Sequence, residues 1–548
     1  MTSAVMDAGD DLPLTLPALW RQQVRKREDR VLLVCDETRL SYAAAEARSR
    51  RLARGLIAAG VTKGSHVALL YPFGADFLIG MLAAARIGAT VLPFSTLSTG
   101  QELRGLLAHS DTAFLLAAAQ FRSRRYDEAL REALPELDFS SPPPLHAPTA
   151  PWLRRIWLSE PVPSGIEEGW TFHALEEAGS EIDDALLEAA EARVTPADRF
   201  VIIHTSGSTG TPKGVMHSHG TLIRHVDNGN RIRGFTADDI LYSTAPFFWV
   251  AGFAFALLGT LIAGARIVCS NAIDPADVLD LLERERPTTT NGYGATVAKL
   301  ASHPSFPRRD LSSIRHGTLY PILAPHVRPK DPELRHSIYG MSETGGALTM
   351  CADEGDLPEQ QRGACGRFMP GFEARIVDPE TRRERASGEM GELWIRGPFL
   401  MEGYYGKCRS QIFEPDGWFR TGDIGLIDPN GLFYIKGRLD DMIKTAGANV
   451  APREVENVLR QLSGGRQWLV LGLPDPERGQ IVTAVLIGDQ ERELNEAALI
   501  PQLGKALSSY KVPRRFCRLS ERELPLQSSG KLDMRRLKEI VSERIRTT

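Results

Sequence analysis

At 548 residues the chain exceeds what one hydrophobic core supports, so at least two domains are expected. An apolar fraction of 43% and a charged fraction of 24% exclude a disordered or fibrous protein, and a net charge of -4 with a pI near 6.4 leaves no basic surplus for nucleic acid or anionic lipid. The six cysteines (Cys35, Cys269, Cys351, Cys365, Cys408, Cys517) stand far apart with no CxxC pair, which favours reduced thiols in a cytosolic enzyme over disulfides or zinc.

The start, MTSAVMDAGDDLPL, carries three Asp and no Lys or Arg before Arg21, the reverse of a secretory leader, so a cytoplasmic protein is expected. HVALLY (66–71), GADFLIGMLAAARIG and ATVLPF (89–94) follow in βαβ order, which predicts a largely parallel sheet. Residues 121–198 are Pro-rich and then acidic, and read as a surface excursion without function. A strand, RFVIIHT, then runs into TSGSTGTPKG (205–214), and a helix capped by Ser218 is expected after it.

Strand, glycine loop and helix together suit phosphate. Gly207 and Gly210 let backbone N–H groups approach oxyanions, Ser206, Ser208 and Thr209 add hydroxyl donors, and Lys213 supplies a point charge. A solvated linker is the plainer reading of a Gly/Ser tract. A P-loop is not, because Pro212 precedes Lys213 and Gly214 follows it, leaving no hydroxyl for a metal.

From Ile240 to Ala265 the chain has no charge over a membrane-spanning length, but Pro246, Gly252, Gly259 and Gly264 interrupt it. A buried strand and a pocket-lining helix are expected there, with no transmembrane segment. Beyond about 390, GELWIRG and GLFYIKGR predict a β-rich unit, and 441–548 a last α/β segment.

TSGSTGTPKG resembles the phosphate loop of the adenylate-forming superfamily, which includes acyl- and aryl-CoA synthetases, nonribosomal adenylation domains and luciferases. Its other motifs follow in order: YGMSET (339–344), GWFRTGDIG (417–425), GRLDDMIKTAGANVAPREVE (437–456) and LPLQSSGK (524–531). The resemblance implies an α/β fold with a large N-terminal domain of stacked α/β subdomains plus a β-rich subdomain, here 1–437. A small mobile α+β C-terminal domain, 438–548, would turn about a hinge near Asp440.

The implied reaction joins two anions, a carboxylate and the α-phosphate of ATP, so neutralising charge is its main requirement, with each pre-set donor worth about 10² to 10³ in rate. By resemblance, Thr205, Ser206, Gly207, Ser208, Thr209, Gly210 and Lys213 hold phosphate, and Glu343 holds Mg²⁺, for which a carboxylate is a suitable hard ligand. Thr344 would donate to the α-phosphate or the substrate carboxylate. Tyr339, with Gly340, Met341 and Ser342 beside it, would stack on adenine, while Asp423 and Arg438 would reach the ribose or phosphate. Lys531 would bridge acid and phosphate during adenylation. Rotation at Asp440 would then bring in Lys444 to Val450, where Gly447 leaves room for the thin arm of CoA. Singly, each has a bland alternative: a surface carboxylate for Glu343, a turn residue for Asp423, a packing ring for Tyr339, a rim salt bridge for Arg438.

Departures from the family pattern are confined to three places. The usual Gly-Gly-Ala-Pro turn under adenine reads SIRHGTLYPILAPHVRP (313–329), Trp249 stands where histidine is frequent, and Ala448 replaces a frequent glutamate. Phe248, Trp249, Gly252 and Phe253 are read as the acid pocket, whose apolar surface would leave the ammonium of an amino acid buried and unpaired. A hydrophobic fatty, aryl or alicyclic acid is therefore expected, with CoA as acceptor. A carrier protein is the alternative acceptor, a nucleotide-binding regulator with a dead site is the alternative of another class, and the oligomeric state, with a homodimer one option, is not fixed by the sequence.

Overall fold

The computed structural model describes residues 12–205, 212–292, 294–439, 443–450, 452–488, 496–525 and 532–547. Ser206, Gly207, Ser208, Thr209, Gly210, Asp440 and Lys531 lie outside the described residues.

Two sheets dominate the first part of the chain. In one, five parallel strands run in the order Arg199–Thr205, Thr90–Pro93, His66–Leu70, Phe114–Ala118, Arg155–Ser159. Lys213–Ser218 and Gly403–Tyr404 add antiparallel strands at its edge. The other has six strands, with Val31–Cys35, Arg266–Cys269, Ile240–Ser243 and Thr289–Asn291 parallel in its middle. A single apolar core joins both, from Leu33 and Ile267 to Leu69 and Ile203. The helix Ala75–Arg86 explains why ADFLIGMLAAAR has no polar stripe, for every one of its residues but Asp76 is buried between layers.

Past residue 370 the predicted β-rich unit is a four-stranded antiparallel sheet, Glu373–Val377, Gly391–Arg396, Phe419–Ile427 and Phe433–Arg438. The last segment builds its own sheet, centred on the long pair Gln467–Asp475 and Gly479–Ile487. Separate cores lie on its two faces, one around Ile443, Leu459, Trp468 and Leu503, the other around Leu471, Leu519 and Leu537.

Two readings of the sequence are corrected. The glycine loop does not lead straight to a helix. Lys213–Ser218 folds back antiparallel on Arg199–Thr205, and the helix His219–Ile232 with its Ser218 cap comes only after that strand. KGVMHS is buried on both faces and shows no alternation by which a strand could be recognised. Residues 121–198 are also more than surface. Arg155–Ser159 extends the parallel sheet, Phe139 and Trp170 pack edge-on at 5.6 Å, and the helix Asp184–Ala192 buries Glu191.

The uncharged stretch becomes the strand Ile240–Ser243, a π-helix, Ala251–Leu258, and the short helix Gly259–Ala263. Among the described residues no helix is long and apolar enough to cross a membrane.

Glu191 meets Arg86 Nε at 2.6 Å, with both side chains almost fully buried, and Arg86 also donates to Glu46 at 2.8 and 2.9 Å. Arg86→Met leaves Glu191 facing only the half-exposed Arg21 at 2.7 Å. It should destabilise the large domain by about 3–5 kcal/mol, lowering the thermal midpoint, and Arg86→Met combined with Glu191→Gln should lose less than the sum of the single changes.

Candidate active site

Three elements meet at Glu343. It sits in the tight turn Ser342–Thr344 between Tyr339–Met341 and Gly346–Met350. The turn is tied to the hairpin by His217, whose Nε2 lies 2.7 Å from the Ser342 carbonyl, and by Met401 N, which donates to the Glu343 carbonyl at 2.8 Å. Burial pulls His217 down to about 4, so its ring is neutral, and because a carbonyl only accepts, Nε2 carries the proton.

Tyr404 donates its hydroxyl to Glu343 Oε1 at 2.6 Å, and Lys213 Nζ lies 5.3 Å from the centre of the same ring. Burial first, and then the Glu343 carboxylate, push the Tyr404 phenol far above its usual range, so it remains a donor. Tyr404 thus links Lys213 to Glu343, a role the sequence reading missed. Its place is set by the edge pairing Val215↔Tyr404, and the only signal was MEGYYG following GELWIRG.

The second corner is Asp423. Its Oδ2 accepts the Tyr339 hydroxyl at 2.5 Å, and Arg438, opposite it in the antiparallel register, places Nε 3.1 Å from Oδ1. That Nε makes an ion contact without hydrogen-bond geometry, while Nη2 donates to the Thr421 carbonyl at 3.3 Å. Burial raises the Asp423 carboxyl, and Arg438 and the Tyr339 hydroxyl pull against it. Each carboxylate oxygen keeps a second lone pair, so Asp423 can still accept from a ligand.

Between the large and small domains lies a cleft of about 390 Å³. Thr205, Pro212, Phe248, Trp249, Ala251 and Ser342 form one wall, and Gly447, Ala448, Val458, Tyr510 and Lys511 the other. Gly447 reaches it at the tip of the hairpin Ile443–Thr445/Ala448–Val450, where Ala446 and Gly447 have φ of 48° and 80°. Two consecutive positive φ values make the tight turn that glycine permits. Trp249 is edge-on to Tyr510 of the small domain, ring centres 6.3 Å apart. His204, just before the loop, lines the cleft as a neutral ring, burial pulling it down to about 3.

Not every expected residue faces this space. Thr344 is fully buried, its hydroxyl 3.0 Å from the Met341 carbonyl and 2.8 Å from that of Gly346. The hydroxyl is spent within the turn, and the residue of that motif bordering the cleft is Ser342. Phe253 packs in the core against Phe77 and Phe200 at 6.4 and 5.5 Å. At Gly252 a Cβ would meet the Pro246 carbonyl at 2.0 Å, so this glycine serves a close backbone turn. Neither Gly252 nor Phe253 lines the cleft, whereas Phe248, Trp249 and Ala251 do.

A large α/β body, a small α/β cap and a cleft flanked by a lysine, a phenol and a carboxylate define an adenylate-forming enzyme. Residues 20–405 match the family described as AMP-binding enzyme, and residues 454–531 match the AMP-binding enzyme C-terminal domain. The chain belongs to the AMP-binding enzyme family. It is 32% identical over 508 residues to the feruloyl-CoA synthase of an Amycolatopsis species, covering 90% of this chain and 92% of that one. To a propanoyl:CoA ligase of Mycobacterium tuberculosis, whose acid bears a methyl-dioxo-octahydroindenyl group, it is 30% identical over 537 residues, 96% of this chain and 99% of the other. Among solved structures, the amide bond synthetase McbA of Marinactinospora thermotolerans superposes with a TM-score of 0.76 at 25% identity, over 95% of this chain and 99% of that one.

Lys511 holds the cleft shut. Buried between the domains, its Nζ lies 2.9 Å from Glu102 of the large domain and 2.8 Å from Glu454 of the small one, and Glu102 also accepts the Ser508 amide at 3.1 Å and its hydroxyl. Burial alone would raise the Glu102 carboxyl, but Lys511 and Ser508 outweigh it and hold it below the ordinary range. A depressed carboxyl contributes stability that is present at neutral pH and lost as pH falls through its folded value, so the Glu102 contribution to docking should be lost below the ordinary carboxylate range, whereas burial raises the Glu454 carboxyl and its titration acts in the opposite sense. Glu102→Ala should loosen docking about tenfold or more, seen as faster hydrogen exchange in the helix Pro452–Leu462 with the strand Arg199–Thr205 unchanged.

Proposed function

We propose that the chain activates a carboxylic acid with a hydrophobic body as its acyl-adenylate and then transfers the acyl group to CoA, giving acyl-CoA, AMP and pyrophosphate. The observation that carries this reading is the cleft itself, where the end of the phosphate hairpin, an apolar wall with Phe248 and Trp249, and the Gly447 turn of the small domain share one space. The CoA ligases among its relatives, for aryl and fused-ring acids, support the same reading.

In the first half-reaction a carboxylate oxygen of the acid attacks the α-phosphate of ATP, and pyrophosphate leaves. Lys213 and, swung in from the small domain, Lys531 offset the converging negative charge, while Asp423 and Arg438 orient the nucleotide. Glu343 would hold Mg²⁺, whose bound charge shields the phosphates; a single carboxylate completed by phosphate and water suits that ion. In the second half-reaction the thiolate of CoA forms the C–S bond as the C–O bond to AMP breaks. The 438–548 unit would turn about Asp440 between the two, and the position of Gly447 at the cleft favours the second arrangement here. We further read the chain as cytoplasmic, supported by six free cysteines.

Pyrophosphate release across a panel of carboxylates, followed by CoA addition, tests the proposal. Release without thioester would point to a carrier protein or another acceptor, and no release with any acid to a binding protein. Lys531→Ala should abolish pyrophosphate release while thioester still forms from supplied acyl-adenylate; equal loss of both would refute its role. Trp249→Ala should shift kcat/KM toward bulkier acids, with small acids losing packing worth about 2–4 kcal/mol and the KM for ATP nearly constant. An unchanged acid profile would remove Trp249 from the pocket.

A further inference from the structure

A second cavity, about 70 Å³, lies further along the elements that build the cleft. The π-helix presents Ala251 to the cleft and Phe255, one turn on, to this cavity. Thr289–Asn291 runs beside it, with Asn291 Nδ2 donating to the Ala251 carbonyl at 3.1 Å and Thr290 bordering the cavity. The hairpin around Glu343 behaves likewise, with Ser342 at the cleft and Met350 at the cavity. The two spaces lie one after the other along the π-helix and the Glu343 hairpin, with Thr289–Asn291 tied to the first of these.

Arg233 forms the charged wall of the inner chamber. Its guanidinium lies between the rings of Phe235 and Phe255, 4.4 and 4.1 Å from their centres. Nη2 donates to Asn230 Oδ1 at 2.7 Å and to the Phe255 carbonyl at 3.1 Å, Nε is buried without a partner, and among the described residues no carboxylate pairs with the group. The fold keeps it there deliberately: buried Asn230 donates to the Gly259 carbonyl at 2.8 Å, and a Cβ on Gly259 would meet Arg233 Nη2 at 2.8 Å.

The neighbouring Arg335 pairs with Asp356 at 2.8 Å, and His316 Nδ1 lies 2.9 Å from Glu354. Asp353 is exposed at the outer rim and accepts the Gly355 amide. Burial pulls Arg233 down to about 9 against the more distant charge of Asp239, which makes no ion pair with it, and a guanidinium stays charged at neutral pH. A buried cation whose acceptors are all neutral is costly, and arginine's planar fork is suited to a carboxylate or paired oxygens.

We propose that Arg233 receives an oxygen acceptor, a carboxylate or ketone, carried at the far end of the acid whose carboxyl is activated in the cleft. The inference rests on the acid-activating reading and refines it: the body of the substrate is apolar, its far end is not. A chamber of about 70 Å³ takes only a few heavy atoms, which fits such a terminal group.

The test compares matched acids, one a plain hydrocarbon acid and the other bearing a second carboxylate or a ring ketone at its far end, by pyrophosphate release. The wild type should favour the oxygenated acid at least tenfold in kcat/KM, as expected for a hydrogen bond to a charged group. Arg233→Met should cut that ratio at least tenfold, and Arg233→Lys should cut it by a smaller factor. A wild-type ratio near one, or a Met variant that lowers both acids equally, would overturn the proposal and leave Arg233 a structural cation. Should the Met variant not fold, an unchanged ratio in Arg233→Lys would overturn it and a reduced one support it. Absence of pyrophosphate release with every acid would overturn the activity and this inference together, an outcome distinct from release without preference.

Discussion

The cleft exists because two domains are held face to face, and the contact that holds them is an ammonium buried between carboxylates from either side. Glu102 belongs to the first turn of Gly100–His109, where it also completes a capping box with Thr99. The same carboxylate that orders a helix of the large domain therefore orders the small domain against it. Because such a network is costly when one member is missing, the arrangement is all or nothing: the domains dock with Lys511, Glu102 and Ser508 in register, or they part. That suits a small domain that has to occupy more than one position during a reaction.

Beside the cleft, a single ring touches a lysine and a carboxylate at once. Lys213 and Glu343 share Tyr404, the lysine over its face and the carboxylate at its hydroxyl. The shared ring orients both groups, through its face and through its hydroxyl. Asp423 is held by the same logic, through a phenol and a guanidinium that meets it without a full hydrogen bond.

Much of this was legible in the sequence because the motifs are contiguous and their roles local. The βαβ opening, the Ser218 cap, the β-rich unit after 390 and the lone Gly447 turn all show in short windows. What escaped depends on residues far apart. The strand Lys213–Ser218 is buried on both faces, so no alternation betrays it. Arg155–Ser159 and Glu191 look like parts of a polar excursion until the partners Phe114–Ala118 and Arg86 are in place. Thr344 and Ser342 stand two positions apart in a turn, and only the turn's orientation decides which one meets the cleft. Phe253 and Trp249 differ in the same way, for a run of aromatics carries no mark of which rings face inward. Arg233 is invisible to motif reading, being one arginine in RIRGF whose unpaired state exists only in the folded chain.

Trp249 bridges the two walls of the cleft: it lines the large-domain side and its edge meets Tyr510 of the small domain. A ligand that displaced the indole would also disturb its contact with Tyr510 of the small domain. The indole therefore couples the shape of the cleft to the seating of the small domain, so that filling one and docking the other are not independent events.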